Sequence, residues 1–224
     1  MKINANFEKR ALEHSSDIPW QSSPMPGVSR RMLDRIGEEV ARATSIVRYD
    51  PGSKFSPHVH AGGEEFLVLD GVFQDEHGDF PFGTYVRNPI NTSHTPASEP
   101  GCEIFVKLWQ FDISETEILR VDTNKLTLQT TQDNKHVASV TLFENSAETV
   151  AIESWTPKAE VDLQHEGGIE ILVIEGSFKL NGELLVRHSW LRLPQGESVT
   201  VVAGIDGARI WIKRGHLRHI RVPS

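Results

Sequence analysis

Leu67-Val68-Leu69-Asp70-Gly71-Val72-Phe73 returns 105 residues later as Leu172-Val173-Ile174-Glu175-Gly176-Ser177-Phe178. The echo continues outward on both sides. Gly62-Gly63 becomes Gly167-Gly168, and Arg87-Asn88-Pro89 becomes Arg192-Leu193-Pro194, at the same shift. Ile104-Phe105-Val106-Lys107 returns as Ile210-Trp211-Ile212-Lys213 at a shift of 106, a one-residue insertion. Matches in one order with a single offset mean that the chain is two copies of one domain. This predicts an N-terminal arm at 1–20, a first domain at 21–113, a connector at 114–136 and a second domain at 137–224. Ser114 to Lys135 is polar, with apolar patches only at Ile118-Leu119 and Leu126–Leu128, and is expected to supply an edge strand.

The spacing of apolar and turn residues gives the domain its class. Val28–Leu33, Ala43–Tyr49, Glu65–Leu69, Gly83–Arg87 and Glu103–Phe111 read as strands. Asp50-Pro51-Gly52 and Asp75–Gly78 read as turns. Only Asn6–His14 reads as a short helix. The pattern is that of an all-β barrel or sandwich. A formal charge of -8 over 224 residues argues against a phosphate-backbone binder and keeps the chain soluble. There is no apolar run of membrane-spanning length, and Met1–Trp20 lacks the apolar core of a secretory signal. Cys102, the single cysteine, excludes an intrachain disulfide and fits a reducing compartment. No nucleic-acid or membrane partner is expected, and a cytoplasmic location is.

Chemistry concentrates between Gly52 and His94. The first block reads Gly52-(x5)-His58-x-His60-(x3)-Glu64-(x6)-Gly71, and the second reads Gly83-(x5)-Pro89-x-Asn91-(x2)-His94-(x3)-Ser98. Two histidines at i and i+2 of a strand point to one face. A carboxylate on the next strand and a third imidazole on a later one can then converge on the same cation. Three neutral nitrogens and one anionic oxygen suit a first-row divalent metal such as Zn, Fe, Mn, Ni or Cu. Glu65 competes with Glu64, but counting from His60 and to Gly71 favours Glu64.

These two blocks resemble the motifs of the cupin superfamily. Asn91 stands where that pattern has glycine and Ser98 where it has asparagine, neither at a ligand position. Gly62-Gly-Glu-Glu-Phe-Leu-Val-Leu-Asp-Gly71, Asp75-Glu-His-Gly78, Tyr85-Val-Arg-Asn-Pro89 and Ser93-His-Thr-Pro96 resemble more narrowly the cupin domain of ChrR-type anti-sigma factors. The resemblance is strong from about Gly27 to Phe111 and weak from Val137 to Leu217. It implies two tandem cupin barrels of the double-stranded β-helix, or jelly-roll, kind. It implies His58, His60, Glu64 and His94 as ligands of one divalent ion per chain, zinc foremost, with iron, nickel or manganese as alternatives. It also implies a sigma factor as partner. The His-x3-Cys-x2-Cys cluster of the sigma-binding module is absent, and residues 1–26 are too few for that module.

The second copy has lost the set. His60 maps to His165, Glu64 to Ile169, His94 to Val199 and His58 to Leu163 or Gln164, so this copy is expected to be structural or an interaction module. Glu170 is the one residue that could rescue a weak site with His165. Around the first site, Phe66, Val68, Tyr85, Phe105 and Trp109 are candidates to line a pocket. Parity puts Phe66 and Val68 on the face of Glu64 and groups Phe105, Lys107 and Trp109 without fixing their side. Arg87 and Lys107 persist as Arg192 and Lys213, which suggests a structural job. Cys102 reads as a small buried residue, His77 as turn chemistry, and His216 and His219 as a solvated tail.

Two functions follow. One is a regulatory or sensory metal protein responding to stress or oxidant. The other is a non-haem cupin metalloenzyme, a dioxygenase or isomerase acting on a small oxygenated molecule such as a diketone or polyphenol, with Glu64 as a possible base. A small-molecule ligand in the first barrel and a homodimer are the expected partners, the latter because the arm with Trp20, Pro24, Met25 and Pro26 has nothing evident to pack on.

Overall fold

The structure is a computed structural model that describes residues 1–223. The chain divides into two compact units. The first takes Met1–Ala5, Ile18–Lys125 and the residues from Arg221, and the second takes Asn6–Asp17 and Leu126–Ile220. The break at Lys125/Leu126 falls inside the stretch expected as connector. No helix among the described residues is long and apolar enough to cross a membrane.

Strand order shows the duplication directly. In the first unit the sheet path runs through Val28–Gly37, Ala41–Tyr49, Cys102–Leu108, Glu64–Asp75, Thr84–Asn88 and Leu119–Asp122. In the second it runs through Val137–Glu144, Thr149–Trp155, Ser198–Arg214, Ile169–Leu180, Ser189–Leu193 and Ala11–His14. The first five strands correspond one to one. Both long central pairs slip register at the repeated stretch, skipping Leu69 in one unit and Ile174 in the other. Each slip is followed by a glycine that nothing larger can replace. Gly71 has φ +66 and a Cβ there would lie 2.0 Å from the Gly101 carbonyl oxygen, while Gly176 has φ +70 and 2.2 Å to the Gly207 carbonyl oxygen. The bulge bends the strand and the glycine lets the neighbouring backbone close on it.

The sixth strand breaks the symmetry. Leu119–Asp122, from the expected connector, pairs with Thr84–Asn88. Ala11–His14 pairs with Ser189–Leu193, Ala11 opposite Arg192 and His14 opposite Ser189. Residues 1–20 are therefore not a free arm, and Asn6–His14 is not a helix. Nine residues with so few apolar positions cannot hold an isolated helix. The open edge of Ser189–Leu193 offers backbone partners instead, with Ala11 buried and Leu12 packed on the core. Trp20 also finds partners, its ring lying 4.4 Å from the Arg31 guanidinium and 4.1 Å from that of Arg48.

Each unit also buries a polar cluster at equivalent positions. In the first, Tyr85 donates to Glu65 (2.6 Å), Arg87 pairs with Glu65 and Glu115 and lies over Phe111, and Lys107 donates to Thr44 (2.9 Å). In the second, Trp190 donates to Glu170 (2.7 Å), Arg192 lies 4.1 Å from the Phe7 ring centroid, and Lys213 pairs with Glu148 (2.9 Å). Arg87, Arg192, Lys107 and Lys213 are all fully buried. Buried charge needs such partners, so the repeated cations hold the fold.

Candidate metal centre

The short strand His58–Val59 pairs antiparallel with Ser93–His94, placing His58 opposite His94. Asn91, at φ +68, makes the left-handed turn that leads into Ser93–His94. Glu64 opens the long central strand, opposite Leu108 on one side and Asn88 on the other. The three imidazoles cluster with each pair of ring planes at 78°, and with centroids 5.1 Å apart for His58 and His60, 5.0 Å for His58 and His94, and 4.5 Å for His60 and His94. One ring nitrogen from each falls within 4.8 Å of the others, an arrangement that could hold a metal ion. His60 and His94 are buried and His58 is exposed.

The hydrogen bonds behind the rings set their tautomers. His60 Nδ1 lies 3.1 Å from Thr92 Oγ1, whose single proton goes to the Pro89 carbonyl (2.7 Å). Thr92 therefore accepts from His60 Nδ1–H, and the Nε2 lone pair of His60 points inward. His94 Nδ1 lies 3.2 Å from Asp75 Oδ2, which makes Nδ1–H the donor there too. The two Nε2 atoms are 3.2 Å apart, and Glu64 Oε2 is 3.3 Å from one and 3.5 Å from the other. Two lone pairs and a carboxylate oxygen so close repel unless positive charge sits among them. Donor atoms at such separations could all reach one first-row divalent ion at bonds of ~2.0–2.1 Å. Asn88 Nδ2 donates to Glu64 Oε2 (3.2 Å) and steadies the carboxylate.

Without a metal the two buried rings shift in opposite directions. Burial lowers the His60 pKa, against the partial opposition of Glu64. Burial would lower His94 as well, but its hydrogen bond to Asp75 and the charge of Glu64 outweigh it and raise the value. Burial would raise Asp75, yet the bonds from His94 and the His77 amide hold it below the usual carboxylate range.

A cavity of about 350 Å³ opens onto His58, His60 and Glu64. Its walls are apolar, from Val28, Val47, Ile104, Val106 and Leu108, and Arg30, Arg35 and Glu39 also face it. Of the five residues expected to line it, Trp109 does. Trp109 holds the uncommon φ of +60 and stacks where a Cβ on Gly62 would clash. Phe66 and Val68 share the face of Glu64 but form the packed core behind the site. Tyr85 and Phe105 are corrected: both stand opposite Leu67, on the reverse face of the sheet from Glu64. Parity groups residues on a strand but does not say which group faces inward. Glu65, bonded to Tyr85 and Arg87, lies on that reverse face too, which leaves Glu64 as the carboxylate at the imidazoles.

In the second unit Leu163, fully buried, faces the interior and Gln164 is exposed, which settles the counterpart of His58. Leu163 stands opposite Val199 as His58 stands opposite His94. Ile169 is buried in the same core. His165 accepts the Gly167 amide at Nδ1 (3.0 Å), and Glu170 bonds to Trp190 and His216 rather than rescuing a site. His216 is thus no solvated tail.

Sequence reasoning missed Asp75, Thr92, Asn88 and Tyr49. The Asp75–Gly78 turn drew attention only as a turn, and Asp75 indeed also accepts the His77 amide (2.7 Å).

Comparisons with known proteins agree with this frame. The family model for the ChrR cupin-like domain matches residues 8–112. The anti-sigma-E factor ChrR of Cereibacter sphaeroides is 35% identical over 100 residues, covering 44% of this chain and 43% of its own. The chain therefore spans less than half the length of that relative. Among solved structures, a Nostoc punctiforme protein provisionally assigned as a dioxygenase superposes with a TM-score of 0.77 at 14% identity, over 97% of this chain and 87% of its own. The bacterial pirin YhhW of Escherichia coli, solved with nickel(II), gives 0.68 at 12%, over 92% and 99%. At such identities the likeness is one of fold. The chain has the cupin fold, and within its first half residues 8–112 resemble the cupin-like domain of ChrR.

Proposed function

We propose that this is a two-barrel cupin that binds one divalent metal ion through His58, His60, Glu64 and His94, and that it serves a regulatory or sensory role in the manner of ChrR. The observation that carries the metal reading is the inward pair of Nε2 lone pairs at 3.2 Å beside the Glu64 carboxylate. Bound there, the ion supplies Lewis acidity and exchangeable coordination positions. Thr92 and Asp75 keep the two buried imidazoles in the ligating tautomer, and Asn88 holds Glu64. The regulatory role rests on the 35% identity to an anti-sigma factor. A second reading, a metalloenzyme for a small oxygenated molecule, is favoured by the cavity of about 350 Å³ at the site, which a purely structural ion has no use for.

Elemental analysis of the purified protein tests the metal: one ion per chain is expected in the wild type and less than about a tenth of that in His94→Ala. Equal metal content in both sinks the reading. Oxygen uptake by the iron-loaded protein with a diketone panel separates the two roles. Turnover favours the enzyme. A ligand- or oxidant-dependent change in sigma-factor binding, without turnover, favours the regulator.

A further inference from the structure

The chain has two tyrosines, and they are used differently. Tyr85 is committed to Glu65. Tyr49, the last residue of the strand Ala41–Tyr49, lines the cavity of the metal centre, and its hydroxyl has no hydrogen-bond partner among the described residues. The ring is fixed edge-on by Phe55 (5.2 Å) and Phe73 (5.7 Å), and the Phe73 ring lies 5.6 Å from that of His94. A donor held by aromatic packing on three connected rings is placed before any ligand arrives, which lowers the entropy of binding.

The second unit shows what the position does when no metal chemistry is required. Tyr49 stands opposite Cys102, and at the equivalent place Trp155 stands opposite Ala208. Trp155 packs on Phe178 at 5.3 Å, as Tyr49 packs on Phe73. Its indole nitrogen donates to Glu153 (2.9 Å) and the ring is buried. Where the ligand set is gone, the position is a satisfied core residue. Where the set is present, it is a phenol with a free O–H facing the cavity.

Building on the metal reading above, we propose that the Tyr49 hydroxyl positions an organic ligand on the metal, and that this ligand is a compact, mainly apolar oxygen chelator. Val28, Val47, Ile104, Val106 and Leu108 give the cavity an apolar stretch of wall that offers a ligand no hydrogen bonds, while Arg30, Arg35 and Glu39 also face it. A polar body laid against that apolar stretch would lose its water without compensation. A divalent ion balanced by one carboxylate keeps one net positive charge, which a single negative charge on the ligand's metal-bound oxygens would balance. Burial raises the phenol pKa further above neutrality, with Glu64 adding to it, so Tyr49 is a donor and the ligand oxygen an acceptor.

The test uses the full chain loaded with cobalt(II), whose visible spectrum reports the coordination sphere, with benzohydroxamate as a two-oxygen probe and azide as a one-point control. Tyr49→Phe keeps the ring and removes the donor. Expected is one metal per chain and the same starting spectrum in both proteins, with benzohydroxamate bound about tenfold more weakly by the variant, the worth of one good hydrogen bond, and azide affinity unchanged within about twofold. Equal benzohydroxamate affinity in the two proteins overturns the role of Tyr49, and so does a parallel loss of azide affinity, which would mark a packing effect. A metal-loaded wild type whose spectrum benzohydroxamate leaves unchanged overturns the ligand class. A wild type without metal overturns the metal reading itself, and elemental analysis tells these failures apart.

Discussion

The two units share five strands, a bulge and its glycine, yet their interiors are opposites. The first keeps imidazoles and a carboxylate around a cavity. The second puts Leu163, Ile169 and Val199 at the same places and packs them into one core. The strand frame therefore does not depend on the site; the site is an addition that the frame can carry or omit. Its polar groups need a second layer to be tolerated, and Thr92, Asp75 and Asn88 are that layer.

Reciprocal substitution tests this contrast hardest. Ile169→Glu places an unpartnered carboxylate in an apolar core and should destabilise the protein by about 3–5 kcal/mol. Glu64→Ile should leave the metal-free protein within about 1 kcal/mol of wild type while weakening metal binding. Denaturant unfolding of both variants gives the answer, and equal losses would erase the asymmetry. Next in size, Asp75→Asn removes the acceptor that aims His94 and should cost about 10–100-fold in metal affinity with the fold intact, read by calorimetric titration.

The pH dependence should reverse between the two loading states. His94 is raised, so without metal its pairing with Asp75 contributes fully below the ordinary histidine value of about 6.5 and fades as pH climbs through the elevated value. Asp75 is depressed, so the contribution also disappears as pH falls through its lowered value. Metal-dependent stabilisation runs the other way, shrinking as pH falls and protons compete for the imidazoles. Thermal melts across pH 4–8 (roughly the range those reference values span) with and without chelator would show the crossing, and parallel curves would remove the site from the stability of the fold. The smallest effect is expected at Cys102, buried opposite Tyr49, whose counterpart is Ala208. Cys102→Ala should shift stability by only about 1 kcal/mol, since the second unit already uses alanine there.

What was readable in the chain was local or periodic. Gly71 and Gly176 announce the bulge because only glycine tolerates the neighbouring carbonyl, and the four site residues announce themselves by spacing along strands. Asp75, Thr92 and Asn88 could not be read, because their meaning lies in which ring they touch across a turn. Tyr85 and Phe105 were misplaced because alternation fixes relative faces, while the inward face is chosen by the pairing of the whole sheet. Asn6–His14 was misread for a similar reason: its fate is decided by an edge strand far along the chain.

That last pairing bears on how the molecule is made. His14 bonds to Ser189 across 175 positions of sequence. In N- to C-terminal synthesis Ala11–His14 precedes Ser189–Leu193 by some 175 positions and has no partner until that strand follows. The first unit's own sixth strand, by contrast, comes within about 40 residues of its neighbour. Order of synthesis and order of closure thus run in opposite directions for the second unit, and a stalled or truncated chain leaves a sticky early segment waiting for an edge that never arrives.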